Sequence, residues 1–523
     1  MRIICSGLAA IACLIGADCV AETQTLTLMR GIDPPHYDAQ RTTSWPVADI
    51  VNMIQDTLVA LDWDGRTPIP YLAKSWQISP DGRTYTFKLR DDVTFCSGKK
   101  FTAEDVVYTF KRLLDPATRS PFAWRAGKIK ELRAPDPYTV EYELQEPYNS
   151  LLLQLTMFSN VIINQESVEQ LGKDYGINGA DGTGPWCFVS WQPRNETVLR
   201  RHDAYHWGPT MYRNPGPVHF DRLVLKIVPE DLSRVTAMMA GTFDYTDHFP
   251  YPYIDQAMAA PMLQVQKVKP NFSLVYFGFK TTREMVSDRR VRQAMNIAIN
   301  RAEIVKGVML GHAEPSYTYV HPDALDYDPK TADMIKEDVA LANRLLDEAG
   351  WKLGSDGIRE KNGVKLAPKV YVPVATNPAR VAEPIQGFMR RIGIDWRITA
   401  WDNTIYVAKI AEQDYDIWSA GQPYLSAGEL MEFCFDSHNI PVPNRSNWND
   451  AETDAWLHAG STALRDDERA RNYALVQQKV TAEHLIMPVL NLPQYEVTNM
   501  RLKGARPHML YSHTFYKGLD LYK

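Results

Sequence analysis

Side chains able to do chemistry are scattered along this sequence in patterns that match no common catalytic motif. No His-Glu-x-x-His, Gly-x-Ser-x-Gly or Walker A motif is present, and the histidines lack the Cys or carboxylate partners that zinc requires. Paired acids such as Asp91-Asp92 and Asp466-Asp467 fall in polar turns or helix starts, where solvated carboxylates are the rule. The sequence therefore predicts no enzyme, no metal site and no cofactor, and a secreted glycoside hydrolase is the minor alternative.

Three segments place an aromatic ring beside planar polar groups, and this combination suits a sugar. The segments are Phe122-Ala123-Trp124-Arg125, Trp401-Asp402-Asn403 and Gln422-Pro423-Tyr424. A flat ring stacks on the apolar face of a pyranose, while amide, carboxylate and guanidinium groups bind its hydroxyls in pairs. The alternative for each tryptophan is a packing role in the core.

The first 21 residues have the pattern of a secretory signal peptide. Met1-Arg2 supplies a basic start, residues 3–15 are apolar without a charge, and Cys19-Val20-Ala21 ends in the small residue that signal peptidase requires. No later apolar run approaches the roughly 20 residues of a membrane helix. We expect cleavage after Ala21 and a soluble mature chain in the periplasm.

Length, charge and cysteine content narrow the class of protein. A mature chain of about 500 residues exceeds the roughly 250 to 300 residues that one core organises, so two or more lobes are expected. A net charge of −6 argues against nucleic acid as a partner. Cys96, Cys187 and Cys434 follow the predicted signal peptide; they permit at most one disulfide, with an undetermined pairing, and we interpret them as small buried residues.

The segment from Tyr71 to Pro116 predicts a hairpin that leads into a helix. Residues 84–90 alternate polar and apolar side chains, which places Tyr85, Phe87 and Leu89 on one face of a half-buried strand. Thr102 is a candidate N-cap, followed by acidic residues in the first turn and by apolar residues at helical spacing.

This segment resembles the signature of family 5 extracytoplasmic solute-binding proteins, the receptors that feed peptide, nickel and some sugar ABC importers. Two further matches follow in the expected order. The turn Gly182-Thr183-Gly184-Pro185-Trp186 is similar to the family's G-T-G-P-aromatic turn. The stretch from Asp288 to Arg301 is similar to the helix that opens the second lobe, with Asp288 as its cap.

The resemblance implies an α/β fold, namely a two-lobed periplasmic binding protein of type II, cluster C, with an extra subdomain inserted in lobe I. The expected boundaries are a signal peptide at 1–21, lobe I at 22–275 with the inserted subdomain at about 65–185, lobe II at 276–494, and a C-terminal return to lobe I at 495–523. The hinge would consist of Leu274 to Lys280 and Leu490 to Glu496. It also implies a monomeric receptor that captures a small molecule by hinge closure and delivers it to a membrane ABC permease.

The sequence indicates the class of ligand less clearly than it indicates the fold. Peptide-binding members hold the peptide ammonium with an aspartate in a G-D-x-x-D-P-like loop, whereas Leu425 stands near that place here, and Glu429 is an offset substitute. The stretch from Phe435 to Arg445 is more similar to members that bind α-galactosides. We therefore rank an oligosaccharide or related glycoside first, an oligopeptide or opine-like amino compound second, and a metal chelate last.

Two segments of lobe I, around residues 36 and 248, contribute further candidate ligand-binding residues beside those of the three aromatic segments. The predicted ligand-binding residues are His36, Trp124, Arg125, His248, Tyr251, Trp401, Asp402, Asn403, Gln422, Tyr424 and Glu429.

Overall fold

The computed structural model describes residues 24–44, 46–247, 249–268, 272–374, 376–422, 424–508 and 516–523. The predicted signal peptide and His248 lie outside the described residues. Within those ranges, every helix is too short or too polar to cross a membrane.

Strands and helices alternate along the chain. The strands are β1 (Thr25–Arg30), β2 (Val59–Leu61), β3 (Pro68–Pro70), β4 (Ala73–Ile78), β5 (Thr84–Leu89), β6 (Ile129–Asp136), β7 (Thr139–Leu144), β8 (Trp186–Gln192), β9 (Glu196–Arg201), β10 (Arg222–Ile227), β11 (Tyr245–Thr246), β12 (Leu263–Lys267), β13 (Leu274–Phe279), β14 (Glu314–Pro315), β15 (Lys352–Leu353), β16 (Arg359–Lys361), β17 (Val364–Lys365), β18 (Lys369–Pro373), β19 (Arg397–Trp401), β20 (Ile417–Gln422), β21 (Ile486–Asn491) and β22 (Tyr495–Asn499). The α-helices are α1 (Pro46–Ile54), α2 (Ala103–Leu114), α3 (Leu151–Gln154), α4 (Gln165–Leu171), α5 (Asp231–Met239), α6 (Ile254–Ala259), α7 (Glu284–Ser287), α8 (Arg289–Ile297), α9 (Arg301–Val308), α10 (Val339–Glu348), α11 (Asn377–Arg391), α12 (Asn403–Ala411), α13 (Ala427–Phe435), α14 (Ala451–Thr462) and α15 (Asp466–Ala482).

Two large mixed sheets form the centres of the two lobes. The sheet of lobe I has the order β12-β22-β11-β1-β10-β9-β8, and that of lobe II has the order β14-β21-β13-β20-β18-β19. A separate sheet, β4-β5-β7-β6, lies between β1 and β8 in the chain and forms the core of the inserted subdomain. The α/β two-lobed architecture expected from the sequence is confirmed.

The chain passes between the two sheets twice, between β12 and β13 and again between β21 and β22. Most of the first predicted hinge segment, Leu274 to Lys280, is the fully buried strand β13, which pairs with β20 and β21 in lobe II, and its role as a hinge stays a prediction. At the first passage, β12 ends at Lys267 in the sheet of lobe I and β13 begins at Leu274 in the sheet of lobe II. After the second crossing, β22 pairs with β11 and β12 in lobe I.

The hairpin and helix predicted from the signature segment are confirmed. Tyr85, Phe87 and Leu89 on β5 are buried. The Asp105 carboxylate accepts a hydrogen bond from the Thr102 backbone nitrogen at 2.9 Å and so caps α2. In the glycine-rich turn, a Cβ at Gly182 would collide with the carbonyl oxygen of Ile54 at the end of α1. The turn is therefore a packing feature of lobe I.

A disulfide joins this subdomain to β8. Cys96 and Cys187 are bonded, with their Cα atoms 5.7 Å apart and a separation of 91 positions in the chain. The interpretation of all three cysteines as small buried residues is therefore wrong for this pair, and it is confirmed for Cys434, which is free and buried. The pairing depends on the fold, which brings the signature segment against the strand that follows the glycine-rich turn.

Candidate functional site

A cleft between the two lobes is the candidate binding site. The space open to the centres of water molecules is about 230 Å³. Its wall is built from the loops after β1 and β11, the start of α1, the ends of β18 and β20, the first turns of α11 and α12, and the second crossing. The lining residues include Thr43, Ser44, Asp49, Arg234, Asp247, Tyr251, Arg380, Asn403, Tyr406, Arg445, Gln494 and Tyr495.

On the lobe I side, buried charges are arranged around Arg30. The Arg30 guanidinium binds the Asp49 carboxylate and lies 3.3 Å from an oxygen of Asp247, and both carboxylates line the cleft. Glu496 on β22 is fully buried close by, and burial, together with the Asp247 charge, raises the pKa of its carboxyl well above the ordinary value. The Arg30 guanidinium thus lies between the two aspartates and pairs with both.

Contacts across the cleft join the two lobes directly. Asp231, the first residue of α5 in lobe I, accepts hydrogen bonds from Arg234 of the same helix and from Arg380 of α11 in lobe II, the latter at 2.6 Å. Asn403 at the start of α12 donates a hydrogen bond from Nδ2 to Ser44 Oγ at 3.1 Å. The two lobes are thus in direct contact beside the cavity.

Arg445 is the third guanidinium that lines the cleft. Its Nη2 atom donates to Thr43 Oγ1 of lobe I at 3.1 Å, and its guanidinium carbon lies 5.2 Å from the centre of the Trp418 ring. The residue is buried, and its Nε atom has no hydrogen-bond partner. Among the described residues, no carboxylate forms an ion pair with it.

Two of the eleven predicted residues, Tyr251 and Asn403, line the cleft. The Tyr251 hydroxyl donates to the Pro493 carbonyl oxygen in the second crossing at 2.8 Å, which ties the loop after β11 to the hinge. His248 and the side chain of Gln422 lie outside the described residues, so their placement stays a prediction.

The other predicted residues lie outside the cleft lining. Trp124 and Arg125 pack on each other, and Arg125 forms a buried ion pair with Glu429. The Tyr424 hydroxyl is hydrogen-bonded to the Tyr276 hydroxyl at 2.8 Å.

Three more of them have local structural contacts. Trp401 is half-buried and packs edge-on against Tyr371, whereas Asp402 caps α12 through the Thr404 backbone nitrogen at 3.0 Å. The His36 ring accepts a hydrogen bond from the Asp38 backbone nitrogen at 3.2 Å. A ligand role for any of these residues stays a prediction.

Sequence reasoning missed the charged residues of the cleft, namely Asp49, Arg234, Asp247, Arg380 and Arg445. They come from five separate segments, and each stands in an ordinary helix or loop context. Their meeting point follows from the packing of two lobes, and no local spacing marks it.

Comparison of the sequence with known proteins identifies the family of this chain. Residues 67–436 match the model of the bacterial extracellular solute-binding proteins, family 5 Middle. The chain is 27% identical over 515 residues to a dipeptide-binding protein of Pseudomonas aeruginosa, covering 93% of this chain and 92% of that protein. It is 28% identical over 378 residues to the nickel-binding periplasmic protein of Escherichia coli, covering 68% and 70% of the two chains.

Solved structures share the whole fold. The oligopeptide-binding protein AppA from Bacillus subtilis in complex with a nonapeptide superposes with a TM-score of 0.86 at 21% identity, covering 96% of this chain and 99% of that one. The binding protein AgaA from A. tumefaciens R10 in complex with agropinic acid superposes with a TM-score of 0.84 at 22% identity, covering 95% and 98%.

Proposed function

Because this chain belongs to family 5 of the bacterial extracellular solute-binding proteins, we propose that it is the receptor of an ABC importer for a short peptide or an opine-like amino compound. Members of this family are extracytoplasmic binding proteins and not enzymes. The peptide or opine-like ligand, the permease and the monomeric state are parts of the proposal, and the neutral oligosaccharide that the sequence ranked first becomes the second candidate.

The residues that line the cleft are the reason to rank a peptide or opine-like ligand above a neutral oligosaccharide. Arg234, Arg380 and Arg445 line the cleft, whereas the described part of the lining contains no tryptophan. Neutral sugars are recognised by stacked rings and paired hydrogen bonds, while guanidinium groups match the planar geometry of a carboxylate. Peptides and opines carry carboxylates, and neutral oligosaccharides do not.

Relatives support the same class. The Pseudomonas aeruginosa relative that aligns over most of this chain is named a dipeptide-binding protein. The AgaA complex shows that this fold accepts agropinic acid. The aspartate that peptide-binding members use for the ammonium is absent at the corresponding loop, so an amine of the ligand needs another partner, and the Asp49 and Asp247 carboxylates line the cleft.

Hinge closure supplies the mechanism. A ligand that contacts both lobes stabilises the closed form by its differential affinity for that form. The contacts from Arg380 to Asp231 and from Asn403 to Ser44 exist only while the lobes meet. A permease that recognises the closed surface would then distinguish loaded from empty receptor.

A thermal-shift screen of the purified mature protein tests the proposal. The panel contains dipeptides and tripeptides, N-(1-carboxyethyl) amino acids, and neutral oligosaccharides that include α-galactosides. We expect a concentration-dependent rise in Tm with the first two classes, equivalent to about 2.7 kcal/mol at a ligand concentration 100 times Kd. Small-angle scattering should show compaction with the same ligands. A rise with oligosaccharides alone would overturn the proposed ligand class.

A further inference from the structure

We infer that Arg445 is a carboxylate-binding subsite at the seam of the two lobes, built on Trp418 and completed by Thr43. This inference deepens the proposed function and rests on it for the class of ligand, but its evidence is the local structure around one guanidinium.

The first observation is an incomplete set of partners around a buried cation. Arg445 is 8% exposed, its Nη2 atom donates to Thr43, and its guanidinium lies over the Trp418 ring, but no described carboxylate forms an ion pair with it. A buried guanidinium without a counter-ion is costly, and such groups are normally paired with a carboxylate or phosphate. Because the residue lines the cleft and no described carboxylate pairs with it, its counter-ion comes from the ligand.

The second observation is that the Arg445 guanidinium packs on the Trp418 ring. Trp418 is fully buried on β20, and its register partner on β13 is Gly278. A Cβ at position 278 would collide with the Trp418 indole, so glycine at this position leaves the room that the ring occupies. A guanidinium over an aromatic face is a cation–π contact, and it holds the Arg445 guanidinium against the Trp418 ring.

The backbone of Arg445 is fixed as well. Its carbonyl oxygen accepts a hydrogen bond from the Tyr415 hydroxyl at 2.9 Å, and its backbone nitrogen donates to the Pro443 carbonyl oxygen at 2.7 Å. A donor group that is preorganised in this way loses little conformational entropy when an anion binds. Arg445 thus has the features of a built recognition group.

Because the subsite lies between the two lobes, a ligand bound there contributes to closure of the lobes. Thr43 lies in lobe I and Arg445 in lobe II, and Nη2 already bridges them in this structure. A carboxylate bound to the Arg445 guanidinium would add its charge at the same seam and strengthen the closed form over the open one. The chemical group that this subsite takes is a carboxylate, from a peptide C-terminus or from an N-carboxyalkyl amino acid.

Matched ligand pairs test the subsite. The probes are a dipeptide library with free C-termini, the same library amidated at the C-terminus, and N-(1-carboxyethyl) amino acids with their methyl esters. In the wild-type protein we expect each bound acid to exceed its neutral counterpart by at least about 10-fold in affinity, typical of hydrogen bonds to charged groups. The two kinds of acid distinguish a peptide carboxylate from an opine carboxylate.

Variants connect the effect to the residue. Arg445→Met should weaken the acid by about 10- to 100-fold and leave the neutral counterpart unchanged. Arg445→Lys, which keeps the charge and loses the fork, should lie between the two. Arg397→Met is the matched control, because Arg397 is an exposed residue of β19 that pairs with Asp395, and its affinity should equal that of the wild type.

The Tm of ligand-free Arg445→Met and the classes of ligand that bind give further tests of the subsite. Removal of a buried, incompletely paired charge should leave the Tm of ligand-free Arg445→Met unchanged or raise it. Neutral ligands that bind as well as their acids, or acids that bind a folded Arg445→Met protein with wild-type affinity, would overturn the subsite while leaving the proposed function intact. Arg445-dependent binding of uronic-acid oligosaccharides alone would support the subsite and overturn the proposed function. Binding of neutral oligosaccharides alone, unaffected by Arg445→Met, would overturn both.

Discussion

Arg125 and Glu429 form a buried ion pair between the inserted subdomain and lobe II, although 304 residues separate them in the chain. The Arg125 Nη2 atom lies 2.8 Å from Glu429 Oε1, and the two side chains are 5% and 2% exposed. The other Glu429 oxygen accepts from the Leu425 backbone nitrogen at 2.7 Å, and Arg125 Nη1 donates to Gln154 at 2.6 Å. The pair therefore belongs to a seam where the subdomain packs on α13.

Removal of one member of this pair should destabilise the protein strongly. Arg125→Met or Glu429→Gln leaves the partner charged and buried, which typically costs about 3 to 5 kcal/mol. The double variant should lose less than the sum of the single losses, because no lone charge remains. Equilibrium denaturation measures this. Arg465→Met, in the exposed pair with Asp467, should cost at most about 1 kcal/mol, and an equally small loss at Arg125 would contradict a buried pair.

Glu432, one turn further along α13, should make stability depend on pH. Burial raises the pKa of its carboxyl from 4.5 to about 7, with smaller contributions from the charges of Asp436 and Glu429, while hydrogen bonds from Tyr473 and Tyr148 act in the opposite direction. The folded-state pKa lies above the unfolded value, so the contribution is fully present below pH 4.5 and is lost as pH rises through about 7.

The measurement compares wild type with Glu432→Gln between pH 4 and 8. Gln keeps the shape and cannot ionise, so the wild type should lose about 3 kcal/mol relative to the variant across the window from pH 4.5 to 7, as 1.36 kcal/mol per pKa unit implies. Equal pH profiles in the two proteins would show that Glu432 titrates normally.

Reduction of the Cys96–Cys187 disulfide should lower stability without a direct effect on the cleft. The bond closes a loop of 91 residues, and removal of a native disulfide typically costs about 2 to 5 kcal/mol. Thermal melts of the wild type should therefore shift downward in reductant, while those of a Cys96→Ala/Cys187→Ala variant should not. Cys434→Ser, which alters the free buried cysteine, should retain the response to reductant. A wild type insensitive to reductant under unfolding conditions would contradict the prediction.

Trp401→Ala should affect the fold and not the ligand. The ring is half-buried, packs edge-on against Tyr371 with centroids 6.1 Å apart, and lies outside the cleft lining. Truncation should cost about 2 kcal/mol or more of ligand-free stability and leave affinity unchanged. Denaturation and ligand titration of the same variant check this. A stable variant with affinity reduced by 10-fold or more would return Trp401 to the site.

The signature hairpin and helix, the buried stripe of α8 and its Asp288 cap could be predicted because they depend on local spacing. Val291, Ala294 and Met295 are fully buried as the helical period requires, and the Asp288 side chain accepts from the Arg290 backbone nitrogen at 2.9 Å. The signature segment, the glycine-rich turn and the α8 stretch follow one another in the order typical of the family, and this order indicated the family and its two-lobed fold. Family resemblance thus gave the receptor class, and the family match confirms it.

The residues that line the cleft could not be predicted in this way. Trp124, Arg125 and Glu429 have the residue types of a site, and in this structure Arg125 packs on the Trp124 ring and forms a buried ion pair with Glu429. Arg445 stands in a segment that looked similar to sugar receptors, and its exposure to the cleft depends on Gly278 and Trp418 from two different strands.

Sequence by itself determined the secondary structure of the signature segments, because periodicity and capping act over a few neighbouring residues. The two-lobed fold and the class of protein came from the resemblance of those segments to a known family. Tertiary structure alone decided that Cys96 pairs with Cys187, that the first crossing precedes β13, and that three arginines meet in the cleft. Those features join residues that are distant in the chain, and only the packing of the lobes fixes which of them come within contact distance.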